Sequence, residues 1–260
     1  MNAPAQLRAA VAYPHPAVRT GTGAGHCCSN CPLPGLCGDS PRRGLPDALL
    51  ESVLEQQRLE AGATLYMAGQ RRSSIWVISA GALKSCELDL EGREQVVGFH
   101  GPGDVLGLER IEISEHRGFA LALEPTSVCR IPVGKLLDRL TTSPELWREV
   151  LRIAGSQIAQ AREVHRVLGQ LQTGQRLAWF LLEGTGPRRT ECQCSGATVI
   201  QLPMTRQDIA SYLGMTLETV SRSFSTLQRE GLVKVDGRTV RLLDPGRLAA
   251  RISPQAKAVA

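Results

Sequence analysis

Cys28, Cys31 and Cys37 stand in the stretch His26-Cys27-Cys28-Ser29-Asn30-Cys31-Pro32-Leu33-Pro34-Gly35-Leu36-Cys37, a C-x2-C-x5-C cluster. Three thiolates this close can hold three corners of a metal site, with a fourth ligand drawn from elsewhere in the chain. Structural zinc prefers two short cysteine pairs, and only one is present here. The wider second gap suits loop thiolates on an iron–sulfur cluster better. Spacing by itself leaves iron–sulfur, zinc and plain redox thiols all open. Cys27 adds an ambiguity, because it could replace Cys28 as a C-x3-C ligand.

A second set of residues near the other end carries a different chemistry. Met204–Leu213 reads as a short helix with Thr205 as its cap and Asp208 three residues on, as in a capping box. Gly214 supplies a turn, and Thr216 caps a second helix running to about Glu230. Leu217, Val220, Phe224 and Leu227 form the packing stripe of that helix. Glu218, Ser221, Arg222 and Ser225 share an adjoining face near its N-terminal end. Arginine can grip guanine O6 and N7 together, and a carboxylate can accept from cytosine N4. Thr205, Arg206, Thr216, Glu218, Thr219, Ser221 and Arg222 are therefore the residues expected to face DNA. Two strands around Asp236-Gly237 predict a hairpin wing. The bland alternative is an amphipathic helix pair with a surface ion pair. Agreement of cap, turn, two-faced helix and wing argues against it.

The rest of the chain must position these two sites. At 260 residues it can bury more than one core. Its 42% hydrophobic and 21% charged residues are those of a globular protein. No apolar run reaches the length of a membrane span and no signal-peptide core is present, which predicts a cytoplasmic protein without a membrane partner. From Gln170 onward there are 12 Lys/Arg and 7 Asp/Glu, so the whole net charge of +5 lies in the C-terminal third, where a polyanion would be met.

Four pieces follow: a tail with the cysteine segment (1–45), a sensor domain (46–140), a long helix (141–172) and a winged helix-turn-helix domain (173–260). Short apolar runs such as Ile75–Ile78, Gln95–Phe99 and Val128–Ile131 predict an antiparallel sandwich or roll. Val150, Ala154, Gln157, Ala161, Val164, Leu168 and Leu171 recur at helical spacing and read as a coiled-coil seam, with a helix lying on its own domain as the alternative. The expected dimer contacts are Ala154, Ala161, Glu163, Val164 and Leu168. A loop is expected at Gly184–Gly196.

From about residue 26 to its end the chain resembles the oxygen-responsive FNR branch (fumarate and nitrate reduction regulators) of the Crp/Fnr transcription factors. The resemblance rests on the Cys28, Cys31 and Cys37 triad, Glu94–His100, the Gly103-Asp104 turn, Thr126–Pro132, Thr205–Gly214, and the Glu-x-x-Ser-Arg of Glu218, Ser221 and Arg222. It implies an α+β fold: an antiparallel β-roll like a cyclic-nucleotide-binding domain, a dimerisation helix and a winged helix-turn-helix. It also implies a [4Fe–4S] cluster on Cys28, Cys31, Cys37 and Cys129, and a homodimer that binds a TTGAT-N4-ATCAA-like palindrome without oxygen and lets go when oxygen degrades the cluster. On its own, Cys129 reads as a buried small hydrophobe. An acidic residue such as Glu163 beside the seam would repel its counterpart and leave the dimer poised. The loop Leu90–Arg93 lies where relatives touch RNA polymerase.

Pro32 and Pro34 remove two N–H donors from the cysteine loop, a departure expected to alter oxygen sensitivity. Cys86, Cys192 and Cys194 have no place in the pattern and read as incidental thiols. The rival readings are a Crp-like regulator controlled by another ligand, a zinc-stabilised DNA-binding protein and an iron–sulfur electron carrier. The stretch Gly107–Ala120 does not offer the glutamate and arginine of a cyclic-nucleotide pocket in register, and no nucleophile or acid–base constellation suggests an enzyme.

Overall fold

A computed structural model of the chain describes residues 55–108, 115–184 and 198–252, with the backbone of 19–20 and 189–191. Cys27, Cys28, Cys31, Cys37, Cys192, Cys194, Pro32 and Pro34 lie outside the described residues.

Strand β4 (Ser74–Ala80) is buried over five successive residues, which is unusual for an antiparallel strand and has a simple cause. Side chains alternate faces, and both faces are covered. Trp76 and Ile78 enter the interior of the roll with Leu59, Leu83, Leu106, Ala120 and Val128. Ile75 and Val77 point the other way, under two helices. Strand β4 pairs with β7 (Val105–Leu106) and β9 (Thr126–Pro132), and β9 continues to β2 (Glu55–Leu59) and β1 (Arg19–Thr20). The facing sheet has the order β3 (Thr64–Tyr66), β8 (Gly118–Ala122), β5 (Leu83–Leu88) and β6 (Glu94–His100). All pairings are antiparallel, giving the expected β-roll.

Helix α1 (Val133–Leu140) leads into α2 (Pro144–Gln170), which starts where Ser143 accepts a hydrogen bond from the Leu146 amide at 3.3 Å and Pro144 occupies the first turn. The first turns of α2 bury Leu146, Val150 and Ile153 on the sheet with Ile75, Val77 and Cys129. Its last turn buries Val167 in a different core, that of the C-terminal half.

This arrangement corrects the expected seam. Val150 faces its own β-domain, Gln157 donates to the Val105 carbonyl at 2.7 Å, Val164 packs on the C-terminal core, and Leu171 lies past the helix end. Leu151, Ile158 and Leu168 are exposed instead, with Ala154 and Ala161 among them at steps of three, four, three and seven. The helix has two apolar faces, and a single stripe drawn through the sequence mixed them.

After α3 (Thr173–Trp179) the helix widens into a π turn over Phe180–Gly184. Strand β10 (Arg189–Glu191) occupies part of the expected loop and pairs with β11 (Thr198–Gln201), whose run of Thr, Val and Ile favours a strand. Helices α4 (Arg206–Tyr212) and α5 (Leu217–Arg229) follow, then the hairpin β12 (Val233–Asp236) and β13 (Thr239–Leu242), and α6 (Pro245–Ile252). The wing is therefore a four-stranded sheet, β10-β11-β13-β12. Among the described residues no helix is long and apolar enough to cross a membrane.

Candidate nucleic-acid interface and cysteine site

Thr205 accepts a hydrogen bond from the Asp208 amide at 3.1 Å, and the Asp208 carboxylate accepts from the Thr205 amide at 2.9 Å, closing the expected capping box at the start of α4. Gly214 turns the chain with φ +59°, in the left-handed region that a side chain resists. Thr216 then accepts from the Thr219 amide at 3.2 Å and caps α5. Val220, Phe224 and Leu227 are buried as expected, whereas Leu217 is 46% exposed. It belongs to the first turn, ahead of the packing stripe. Glu218 and Arg222 sit on the open face one turn apart, paired at 2.5 Å with both side chains in solvent. Ser221 is half-buried beside them.

Arg206 lies 5.2 Å from the Phe224 ring centroid, a cation–π contact that holds it against the recognition helix. The wing brings in a residue the sequence reading missed. Asp236 pairs with Thr239, so the two-residue turn is Gly237-Arg238, with Gly237 at φ +57° and Arg238 exposed at the tip. That pattern suits a type II′ hairpin. Arg206 and Arg238 line a cleft of about 110 Å³ between α4 and the wing, with Leu202, Met204, Phe224 and Val235. The cleft is far too small for a drug-sized ligand, and two guanidiniums beside it suit a phosphate. The Asp-Gly pair signalled the hairpin but shifted its tip by one residue.

Arg176 ties this unit to the long helix. Its guanidinium donates to the carbonyls of Leu168 and Leu171 at 2.8 and 2.9 Å and to that of Leu213 at 3.0 Å. One side chain thus joins the end of α2 to the turn of the helix-turn-helix.

On the sensor side Cys129 lies in the middle of β9, opposite Val77 on one neighbour and Gln56 on the other, and is buried under α2. Cys86 is a free thiol, and Cys27, Cys192 and Cys194 lie outside the described residues. The remaining expected ligands, Cys28, Cys31 and Cys37, are outside them too. Among the described residues no group of three metal-ligating side chains occurs. Cys86 is buried elsewhere, and burial pushes its thiol up to about 11, which keeps it protonated.

Of the expected dimer contacts, Ala161 and Leu168 are exposed and Ala154 is half-buried on one side of α2. Glu163 is on another flank, where a hydrogen bond from Arg166 at 2.5 Å holds its carboxyl below the usual range. Glu163 thus has an ion-pair partner on its own helix, and Val164 packs on the C-terminal core.

The comparisons with known proteins agree with this geometry. Residues 175–251 match the Crp-like helix-turn-helix domain, and residues 56–143 match the cyclic nucleotide-binding domain. The chain is 35% identical over 224 residues to the transcriptional activator protein FnrA of Stutzerimonas stutzeri, covering 86% of this chain and 91% of that one. It is 31% identical over 244 residues to the fumarate nitrate reduction regulatory protein of Klebsiella oxytoca, covering 94% and 96%. The structure of FixK2 from Bradyrhizobium japonicum aligns with a TM-score of 0.68 at 31% identity, over 76% of this chain and 96% of that one. With a β-roll, a long helix and a winged reading head in common with these regulators, the chain belongs to the FNR branch of the Crp/Fnr family and is a DNA-binding transcription regulator, not an enzyme.

Proposed function

We propose that this regulator responds to oxygen through a [4Fe–4S] cluster held by Cys28, Cys31, Cys37 and Cys129, and binds a TTGAT-N4-ATCAA-like palindrome as a homodimer when oxygen is absent. The observation that carries the reading is Cys129, buried on β9 beneath the first turns of the long helix. A site that gathers several thiolates is what such a cluster needs, and thiolate-held iron–sulfur is the oxygen-labile element it would supply. The chain's own residues do the rest. Leu146, Val150 and Ile153 share a packed cluster with Cys129, so a change at the cysteine site is felt by the first turns of α2. Leu151, Ile158 and Leu168, with Ala154 and Ala161, offer a seam to a second copy. Thr205, Arg206, Thr216 and Thr219 would anchor the duplex, while Glu218, Ser221 and Arg222 would read base edges. The exposed Leu90, at the tip between β5 and β6, is the surface assigned to RNA polymerase, and a cytoplasmic location follows from that partner.

The test is purification without oxygen, measurement of iron and acid-labile sulfide per chain, and admission of air while binding to the palindrome is followed by fluorescence anisotropy. Visible absorption and binding should vanish together, and Cys129→Ser should lose iron from the start. Iron-free protein that binds equally well in air and without it would overturn the reading.

A ligand in the β-roll is the second reading, favoured by the match to the cyclic nucleotide-binding domain. The interior argues against a nucleotide. Tyr66, Trp76 and His116 stack in it, with centroids 3.9 Å apart for Tyr66 and His116 and 5.2 Å for Tyr66 and Trp76. Among the described residues the roll buries no carboxylate or guanidinium that could meet a ribose or a phosphate. Titration with cyclic AMP should release no heat.

A further inference from the structure

The sensor and the helix-turn-helix meet directly as well as through the long helix. Lys84 on β5 places Nζ 2.5 Å from Oδ1 of Asp208, with only 16% and 10% of the two side chains exposed. The other carboxylate oxygen of Asp208 accepts from the amide and hydroxyl of Thr205 at 2.9 and 2.7 Å. Burial alone would raise the Asp208 carboxyl, but the hydrogen bonds from Lys84 and Thr205 outweigh it and keep the group ionised. At the far end of α4, the Val96 amide on edge strand β6 donates to the Ser211 hydroxyl at 2.9 Å, and Gln95 donates to the Ser211 carbonyl. Phe99 meets the rings of Tyr212 and Phe180 edge-on at 5.1 and 6.0 Å. Helix α4 is thus fastened to the sensor sheet at both ends.

The docking does not hide the reading surface. Thr205, Arg206, Thr216, Glu218 and Arg222 are all exposed while Lys84 and Asp208 are joined. A contact that leaves the reading face open while gripping the helix beside it controls orientation. We propose that Lys84 is a positioning residue for DNA binding: through Asp208 it fixes Thr205 and the tilt of α4, so the sensor sheet sets the attitude of the helix-turn-helix. The inference rests on the reading of this chain as a palindrome-binding regulator. An exposed ion pair would contribute little. This one is nearly buried, so removing one partner strands the other's charge out of water.

The test uses full-length wild type, Lys84→Met, Lys84→Arg and Asp208→Asn in two measurements. The first is hydrogen exchange of the α4 amides and of Val96 without DNA. The second is anisotropy with the TTGAT-N4-ATCAA duplex over a range of salt. Lys84→Met and Asp208→Asn should exchange the α4 amides on the order of tenfold faster and bind the duplex about tenfold more weakly, with Lys84→Arg close to wild type. The salt slope should not change, since a lost phosphate contact would lower it by roughly one. Unchanged exchange and affinity in Lys84→Met would overturn the proposal. So would weaker binding with a lowered slope and unchanged exchange, which would make Lys84 a phosphate contact. Asp208→Asn keeps an oxygen for Thr205 and so decides the matter if Lys84→Met unfolds. Should wild type ignore the duplex, the proposed function fails, while the exchange data still decide whether Lys84 holds α4.

Discussion

In the free protein Arg222 is held by Glu218, so its guanidinium is already displayed on the open face of α5 before DNA arrives. The pair lies in solvent and adds little stability. On the proposed reading, it would limit the rotamers from which Arg222 reaches a guanine. Arg222→Ala should cost about 1–3 kcal/mol against the palindrome and relax selectivity at the base it reads, as anisotropy with single-base variants would show. Arg238→Ala on the wing should weaken all duplexes alike. His116 makes a different prediction. Burial pushes its pKa down from 6.5 to about 4, and Arg72 adds to the shift. The unfolded chain therefore takes up the proton first. Stability should be level above about pH 6.5 and fall as pH drops from there to about 4, by up to roughly 3 kcal/mol. Thermal melts across that range should show the slope, and His116→Leu should remove it. The caps, the Gly214 turn and the buried and open faces of α5 were legible from sequence because they are local. Cys129 was not. Nothing around it in the chain says that it lies under α2, and only its place in a family segment singled it out.

At the scale of elements, the recognition helix depends on its ends. Thr216→Ala removes the acceptor for the Thr219 amide and should cost about 1 kcal/mol, read as a lower midpoint in urea. The long helix has two apolar faces with different partners, and substitutions should separate them. Ile158→Asp places a charge on the exposed seam and should shift sedimentation from dimer to monomer with the fold intact. Val167→Ala opens a cavity in the buried core of the C-terminal half and should cost about 1 kcal/mol or more of stability, leaving the dimer constant nearly unchanged. The period of this helix was plain in the sequence. Which apolar residues face inward was not, because that depends on two separate cores at its two ends. Strand β10 was missed for a related reason: three residues form a strand only when β11 is beside them.

At the scale of the whole molecule, the fold class was legible because each part has its own short-range signature: strands bounded by turns, a long helical period, a capped helix pair with a wing. The way the parts meet was not. Lys84 and Asp208 are 124 residues apart; in the sequence Lys84 looks like an ordinary surface charge and Asp208 like a helix cap only. The same holds for Arg176, whose three strong carbonyl contacts span the end of one helix and the turn between two others. The long helix is rooted in the sensor core by Leu146, Val150 and Ile153 and in the C-terminal core by Val167, while the sensor sheet grips α4 from the side. That closes a loop of rigid parts, and it makes the helix a gauge whose length and phase are both set. One residue inserted near Ser156 would swing the DNA-binding half by about 100° and should abolish binding. Seven inserted residues nearly restore the phase but lengthen the rod by about 10 Å, more than the grip of Lys84 on Asp208 can follow. A molecule joined only through its helix would recover with the seven-residue insertion; this one should stay inactive with either.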